Sequence, residues 1–246
     1  MKRRVRICGK KWLNTEIFTL RIRLPGISPK PGQFFQVRVA ETLDPFLNRP
    51  ISIASYEKDT LLLVIKVVGR GTALLSRKTV DDEVTLIGPF GTGVQPKKKN
   101  SLLIAGGIGV APMYFLAQRL YKRKTPFTFV YGAKTAAGLV LKEGIRKHAT
   151  ESVFVTEQGR NKTTAVDALR TLDAREYSVA YACGPRAMLR SLQKMDLGIP
   201  VYAFCEDFLG CGCGLCLGCA ILYRGQYKRI CEDGPVFELS GINFDA

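Results

Sequence analysis

The sequence predicts a three-part β + α/β chain: an antiparallel β-barrel over residues 1–95, a parallel-sheet domain over residues 96–204 and a small cysteine-rich lobe over residues 205–246. Three observations lead there. Residues up to 95 carry short strands with period-two alternation and almost no helical signal. Beyond the polar seam Gln95-Pro96-Lys97-Lys98-Lys99-Asn100, apolar strands alternate with helical patterns. Six of the eight cysteines then crowd between residues 205 and 231.

In the barrel, residues 16–24 alternate apolar and charged, as a strand with one wet face does. Residues 34–39, 51–53, 61–68 and 83–87 follow as further strands, parted by turn residues such as Pro29-Lys30-Pro31-Gly32 and Gly88-Pro89-Phe90-Gly91. The basic start, Met1-Lys2-Arg3-Arg4-Val5-Arg6, leads into alternation and not into an apolar signal core, so a cytoplasmic chain is expected. No run of 18 apolar residues predicts a membrane-spanning helix. The net charge of +16 comes from scattered residues with short runs at 2–4, 97–99 and 122–124. No basic stripe is interleaved with aromatics, so nucleic acid is not expected. A solvated surface is the first reading and an acidic protein partner the second.

In the second domain, residues 101–105 form a buried-strand run that ends in Gly106-Gly107-Ile108-Gly109-Val110-Ala111-Pro112, with a helix over 113–122. Strands at 127–131, 153–155, 179–183 and 201–204 alternate with helical patterns at 139–147, 164–171 and 187–194. Such a sheet is parallel and covered on both faces. Its first strand–helix crossing is where a dinucleotide pyrophosphate sits. No acid closes the second strand, where Lys134 follows Tyr131-Gly132-Ala133, so a ribose carboxylate cannot decide between NAD and NADP.

Two stretches of the barrel carry chemistry. Arg49-Pro50-Ile51-Ser52 sets a fixed cation, a rigid φ and a hydroxyl at the start of a strand, a combination able to hold a phosphate beside a flat ring. Gly69-Arg70-Gly71-Thr72 precedes a helical pattern, whose free amides can take a phosphate; in isolation a tight turn with a helix cap is the simpler reading. His148, the only histidine, is expected at the surface. There is no Ser-His-Asp set and no evident carboxylate pair, so no catalytic residue is assigned and the chemistry falls to cofactors.

The cysteines are more specific. Cys211-x4-Cys216-x2-Cys219 with the later Cys231 matches the plant-type [2Fe–2S] spacing. Cys213-x2-Cys216-x2-Cys219 also reads as part of a [4Fe–4S] run, and zinc stays open on spacing alone. Gly210, Gly212, Gly214 and Gly218 let the backbone approach inorganic sulfur. Cys8 and Cys205 are expected to pack as small apolar groups.

Together, Arg49-Pro50-Ile51-Ser52, Gly71-Thr72, Gly88-Pro89-Phe90-Gly91, Gly106 to Pro112 and Cys183-Gly184-Pro185 resemble, in this order, the ferredoxin–NADP reductase superfamily. The cysteine loop, with Asp233-Gly234-Pro235-Val236-Phe237 after its last Cys, resembles the electron-transfer subunits of class 1B dihydroorotate dehydrogenases. The likeness covers nearly the whole chain. It implies an FAD-binding barrel, an NAD-binding domain and a [2Fe–2S] lobe. By this analogy Arg49 meets the FAD pyrophosphate, and Pro50, Ile51 and Ser52 lie beside the isoalloxazine. Val64, Ile65 and Lys66 run along the FAD, and Gly71 with Thr72 caps its pyrophosphate. Gly107 and Gly109 face the nicotinamide dinucleotide, with Cys183 and Gly184 near its ring. Cys211, Cys216, Cys219 and Cys231 ligate the cluster.

The implied partner is an FMN-containing dihydroorotate dehydrogenase catalytic subunit, in a heterotetramer with two of each chain serving pyrimidine biosynthesis. Rival readings are a subunit of a hydrogenase, a sulfite reductase or a ferredoxin-linked oxidoreductase, and, from another class, a basic zinc protein acting on nucleic acid. Two departures stand out. Cys213 occupies a position that is usually not a ligand, and Lys134 suits a 2′-phosphate better than the NAD the resemblance implies.

Overall fold

The computed structural model describes residues 1–42, 44–159 and 162–245. The barrel is built from β1 (Lys2–Trp12), β2 (Ile17–Arg23), β3 (Phe34–Arg38), β4 (Arg49–Glu57), β5 (Thr60–Lys66) and, after helix α1 (Arg70–Arg77), β6 (Glu83–Phe90). It closes in the order β1-β2-β5-β4-β3-β6, every neighbouring pair antiparallel. Alternation decides what lies inside: Phe18, Leu20 and Ile22 of β2 and Phe35 and Val37 of β3 fill the barrel. Cys8 departs from expectation. It falls on the outer face of β1 and is exposed, its thiol donating to the Arg21 carbonyl.

The second domain holds β7 (Ser101–Gly106), α2 (Val110–Lys122), β8 (Phe127–Ala133), α3 (Lys142–His148), β9 (Glu151–Thr156), α4 (Ala165–Ala168), β10 (Val179–Cys183), α5 (Arg186–Met195) and β11 (Val201–Phe204). The lobe adds β12 (Ala220–Tyr223), β13 (Gln226–Arg229), β14 (Val236–Glu238) and β15 (Ile242–Asn243). β7 and β8 are buried along their whole length, as central parallel strands are. The helix expected over 164–171 is one α-turn that tightens into a 3-10 turn.

One strand comes from outside the alternating pattern. The sheet runs β14-β11-β10-β7-β8-β9, and β14 lies antiparallel on β11. The chain therefore leaves the sheet at β11, makes the cluster loop and β12–β13, and returns as the sheet's edge. β12, β13 and β15 form a separate three-stranded sheet.

Barrel and sheet meet at α2. Val110, Met113, Leu116 and Leu120 are fully buried with Ile17, Ala54 and Val64 of the barrel, while Phe115 reaches the barrel core. Each such side chain contributes about 1.5–3 kcal/mol. The exposed Lys122–Glu57 ion pair across the joint, at 2.8 Å, adds about 0–1 kcal/mol. Apolar burial holds the joint. No helix among the described residues is long and apolar enough to cross a membrane.

Candidate functional site

At the mouth of the barrel the chain brings Arg49 and Gly71 together. A Cβ at Gly71 would collide with the Arg49 guanidinium, so glycine is what lets that cation lie over the first turn of α1. Arg49 is aimed by its own loop, donating to the carbonyls of Leu47 and Asn48. Helical bonding in α1 begins with the Ala73 amide donating to Gly69 at 2.9 Å. The amides of Arg70, Gly71 and Thr72 thus remain at the free, positive end of the helix. The Thr72 hydroxyl is used locally, accepting from the Val68 and Gly69 amides at 3.0 and 3.2 Å. It shapes the turn, and the amides and Arg49 make the anion cradle. Pro50 and Ser52 pair across the ladder with Gln36 and Phe34, so these four side chains share the outer face of β3–β4. Ile51 and Ile65 point into the barrel core, Val64 into the α2 joint, and Lys66 pairs with Glu16 at 3.3 Å.

A second cleft opens at the carboxyl ends of β7 and β10. These strands are neighbours, Ala105 against Cys183, and from them the strand order runs in opposite directions. That is a topological switch point, where ligands of open α/β sheets bind. Gly109 is packed so closely on the Cys183 carbonyl and the Gly184 amide that a side chain cannot fit, whereas Gly107, at φ +54°, has nothing within 4 Å of its missing Cβ. The Cys183 thiol is buried and donates to Glu206 at 3.6 Å. Burial pushes the thiol well above its ordinary pKa, and the neighbouring carboxylate adds to this. Glu206 is exposed as a residue, yet its carboxyl end is crowded over Cys183, and desolvation raises its pKa too.

The cysteine loop lies against the outer face of β3. Phe34 packs in one cluster with Cys205, Cys219 and Cys231. Gln36, fully buried, donates to the Leu209 carbonyl at 3.4 Å and fills the space where Gly212 has no side chain. The thiols gather at two points. The Cys211 sulfur accepts from the amides of both Cys213 and Cys216 at 3.4 Å, with the thiols of both beside it; the Cys219 and Cys231 sulfurs are 3.3 Å apart. Among the described residues no three His, Cys, Asp or Glu side chains close on a single-ion position. Burial raises the Cys211 thiol, but the Cys213, Cys216 and Leu215 amides outweigh it and bring the group to about 6. Burial, then the facing Cys219 thiol, push Cys231 up to about 12 despite the Gly214 amide at 3.1 Å. A buried thiol pair of this kind ionises fully only with a cation between the sulfurs. Gly214 is itself braced: its carbonyl accepts from Arg229, which pairs with Glu232 at 2.7 Å. Cys213 and Cys216 are both exposed and both contact Cys211, so the geometry by itself does not separate them.

Comparison with known proteins bears on this geometry. Residues 206–243 match the iron-sulfur cluster binding domain of dihydroorotate dehydrogenase B, and residues 103–194 match the oxidoreductase NAD-binding domain. The dihydroorotate dehydrogenase B (NAD(+)) electron transfer subunits of Geobacillus kaustophilus and Bacillus caldolyticus are each 38% identical over 237 residues, 91% of either chain. The chain belongs to this family. This membership and the two domain matches support an architecture for binding FAD, NAD and an iron–sulfur cluster. A solved structure of an NADH-dependent reduced ferredoxin–NADP oxidoreductase superposes with a TM-score of 0.88, at 26% identity, over 98% of this chain and 90% of that one. The ferredoxin–NADP+ reductase of Neisseria gonorrhoeae, at 20% identity and TM-score 0.70 over 84% of this chain and 94% of that one, shares the fold.

For this family member, some of the site could not have been read from the sequence. Gln36 sits where alternation calls for a wet residue and is buried by the lobe instead. Glu206 follows a strand with nothing local to mark it. His148 is half-buried between Tyr114 and Tyr121 and not on the open surface, with its Nδ1 unpartnered, and it lies away from both clefts.

Proposed function

We propose that the chain is the electron-transfer subunit of an NAD-dependent dihydroorotate dehydrogenase of pyrimidine biosynthesis, cytoplasmic and paired with an FMN-containing catalytic subunit in a heterotetramer. The observation that carries the reading is the seating of the cysteine loop on β3, whose ladder partner is the strand that starts with Arg49-Pro50-Ile51-Ser52, within a chain 38% identical to such subunits. Bound here, FAD and a [2Fe–2S] cluster supply the exchange between one-electron transfer from the partner's FMN and two-electron reduction of NAD.

The residues supply the rest. Arg49 and the free amides at Gly71 and Thr72 hold the FAD pyrophosphate. Pro50 and Ser52 present a flat face to its ring. Gly109 lets β7 and β10 meet closely enough to seat the dinucleotide, and Cys183 and Glu206 border its nicotinamide. Cys211 with Cys216 and Cys219 with Cys231 offer one pair of thiolates to each of two irons, a pattern unlike the single four-ligand centre of zinc. Dihydroorotate oxidation also needs a base beside a flavin to take a proton from carbon. That base belongs to the partner.

The test uses protein purified without oxygen. It should carry one FAD and two irons per chain and oxidise NADH with an artificial acceptor. It should turn over dihydroorotate only after the catalytic subunit is added. Conversion of dihydroorotate by this chain alone, or stoichiometric zinc, would sink the reading. A ferredoxin-linked oxidoreductase is the second reading, favoured by the TM-score of 0.88. Reduction by ferredoxin in place of the dihydroorotate-oxidising partner would select it.

A further inference from the structure

We infer that Gln36 is the positioning residue that fixes the cluster loop against the flavin strand and so sets the coupling between the two redox centres. This rests on the functional reading above and goes beyond it by assigning the coupling to one side chain.

Gln36 lies in the middle of β3 with none of its surface exposed. Its ladder partner is Pro50, within the stretch assigned to the flavin. Neighbouring strands are about 4.8 Å apart, and directly paired residues point to the same side. The flavin face of Pro50 and Ser52 and the lobe face of Phe34 and Gln36 are therefore adjoining rows of one surface. Phe34 belongs to the same apolar cluster as Cys205, Cys219 and Cys231. Gln36 anchors the lobe at the other end of the loop, near Cys211. Its Nε2 donates to Leu209, and its side chain occupies the position a Cβ at Gly212 would need, 2.7 Å from Cγ. Gly212 has φ +74°, so the loop turns there in a conformation that favours glycine and presses its bare edge onto Gln36.

Leucine or methionine, of similar size, would pack this site as well if contact were all it had to provide. A buried primary amide costs free energy unless its hydrogen bonds are made. Here one half of the amide is spent on the loop, and the other half, Oε1, is buried and without a donor among the described residues. Gln36 thus ties the loop, through its nitrogen, to the strand that pairs with Pro50. Tunnelling falls exponentially with distance, so a loop that loses this tether exchanges electrons with the flavin more slowly even when both groups remain bound.

The experiment is anaerobic stopped-flow on FAD- and iron-loaded Gln36→Leu, with NADH as reductant and flavin and cluster followed separately, together with EPR of the reduced cluster. FAD and iron contents of the wild type check the functional reading first and independently. Flavin reduction by NADH should stay within twofold of wild type, because the nicotinamide cleft is untouched. Cluster reduction should slow at least tenfold, and the g-values of the reduced cluster should shift. Unfolded protein carries neither group and enters neither rate. If Gln36→Leu yields no loaded protein, Gln36→Met, which keeps the length and removes only the amide, takes its place. Equal slowing of both steps would mark Gln36 as a general packing residue and overturn the inference. An unchanged cluster rate and EPR spectrum would overturn it too.

Discussion

Gly109→Ala puts the nicotinamide cleft to a quantitative test. A Cβ at this position would stand 2.6 Å from the carbonyl carbon of Cys183 and 2.9 Å from the Gly184 nitrogen. Both are backbone atoms, so no side chain can swing aside. Gly109 has φ −58°, an ordinary helical value, and Ala in place of Gly there would by itself gain about 0.5–1 kcal/mol. Overpacking costs about 1–3 kcal/mol. The net is a loss of about 1–2 kcal/mol, or ~2–8 °C in melting temperature for a chain of this size. The only relief is to part the ends of β7 and β10, where the proposed dinucleotide site lies. The KM for NADH in the artificial-acceptor assay should therefore rise about tenfold, equivalent to about 1.4 kcal/mol of binding. Gly107→Ala is the control. Its Cβ meets nothing within 4 Å, and its φ of +54° costs about 1 kcal/mol of backbone strain without moving β10. Wild-type KM and melting temperature in Gly109→Ala would show that the β7–β10 contact does not shape the cleft.

Other expectations follow from single contacts. Cys213→Ser should retain the reduced-cluster EPR signal while Cys216→Ser abolishes or strongly alters it; the reverse ranking would overturn the two-pair ligand set. Gly71→Ala pushes against the flexible end of Arg49, so the melting temperature of FAD-free protein should hold while FAD affinity, by fluorescence titration, falls about tenfold, the equivalent of about 1.4 kcal/mol. His148 has its pKa lowered, first by burial beside Tyr114 and Tyr121 and further by Lys147 and Lys122, against the opposing pull of Glu57. The unfolded chain then binds its proton more readily, so this stability is complete above about pH 6.5 and is lost as pH falls through the depressed native value. The melting temperature should drop between pH 7 and pH 5.5, and His148→Phe should flatten that slope.

Local pattern carried most of the fold. Phe18, Leu20 and Ile22 announce a one-faced strand, and the buried run ending in Gly106-Gly107 announces a parallel strand feeding a helix. Spacing offered Cys211, Cys216, Cys219 and Cys231 as a set, without saying that Cys219 and Cys231 would meet. What escaped depends on contacts distant in sequence. β14 is three residues long, and nothing in Val236-Phe237-Glu238 states that its partner is Tyr202 to Phe204. Gln36 looks like a wet position because alternation reports one strand's two faces but not what a loop 173 residues away lays over one of them. His148 was misjudged for the same reason: its cover comes from α2, one helix earlier in the chain.

The return of the chain as β14 makes the metal lobe an insertion between two adjacent strands. While the lobe is folded, β14 covers β11, and the Cys205 amide is bonded to Pro235 at 2.8 Å. β14 also has holds outside the lobe, the Thr92 amide on the Gly234 carbonyl and Gln193 on the Leu239 carbonyl, each at 2.7 Å; were these and the lobe to open together, β11 would become a bare edge presenting unpaired amides and carbonyls. Exposed edges recruit strands from other molecules. An opening of the lobe wide enough to strip β14 would thus be felt in solubility, as self-association through β11, so the fold of the lobe guards the sheet's open side.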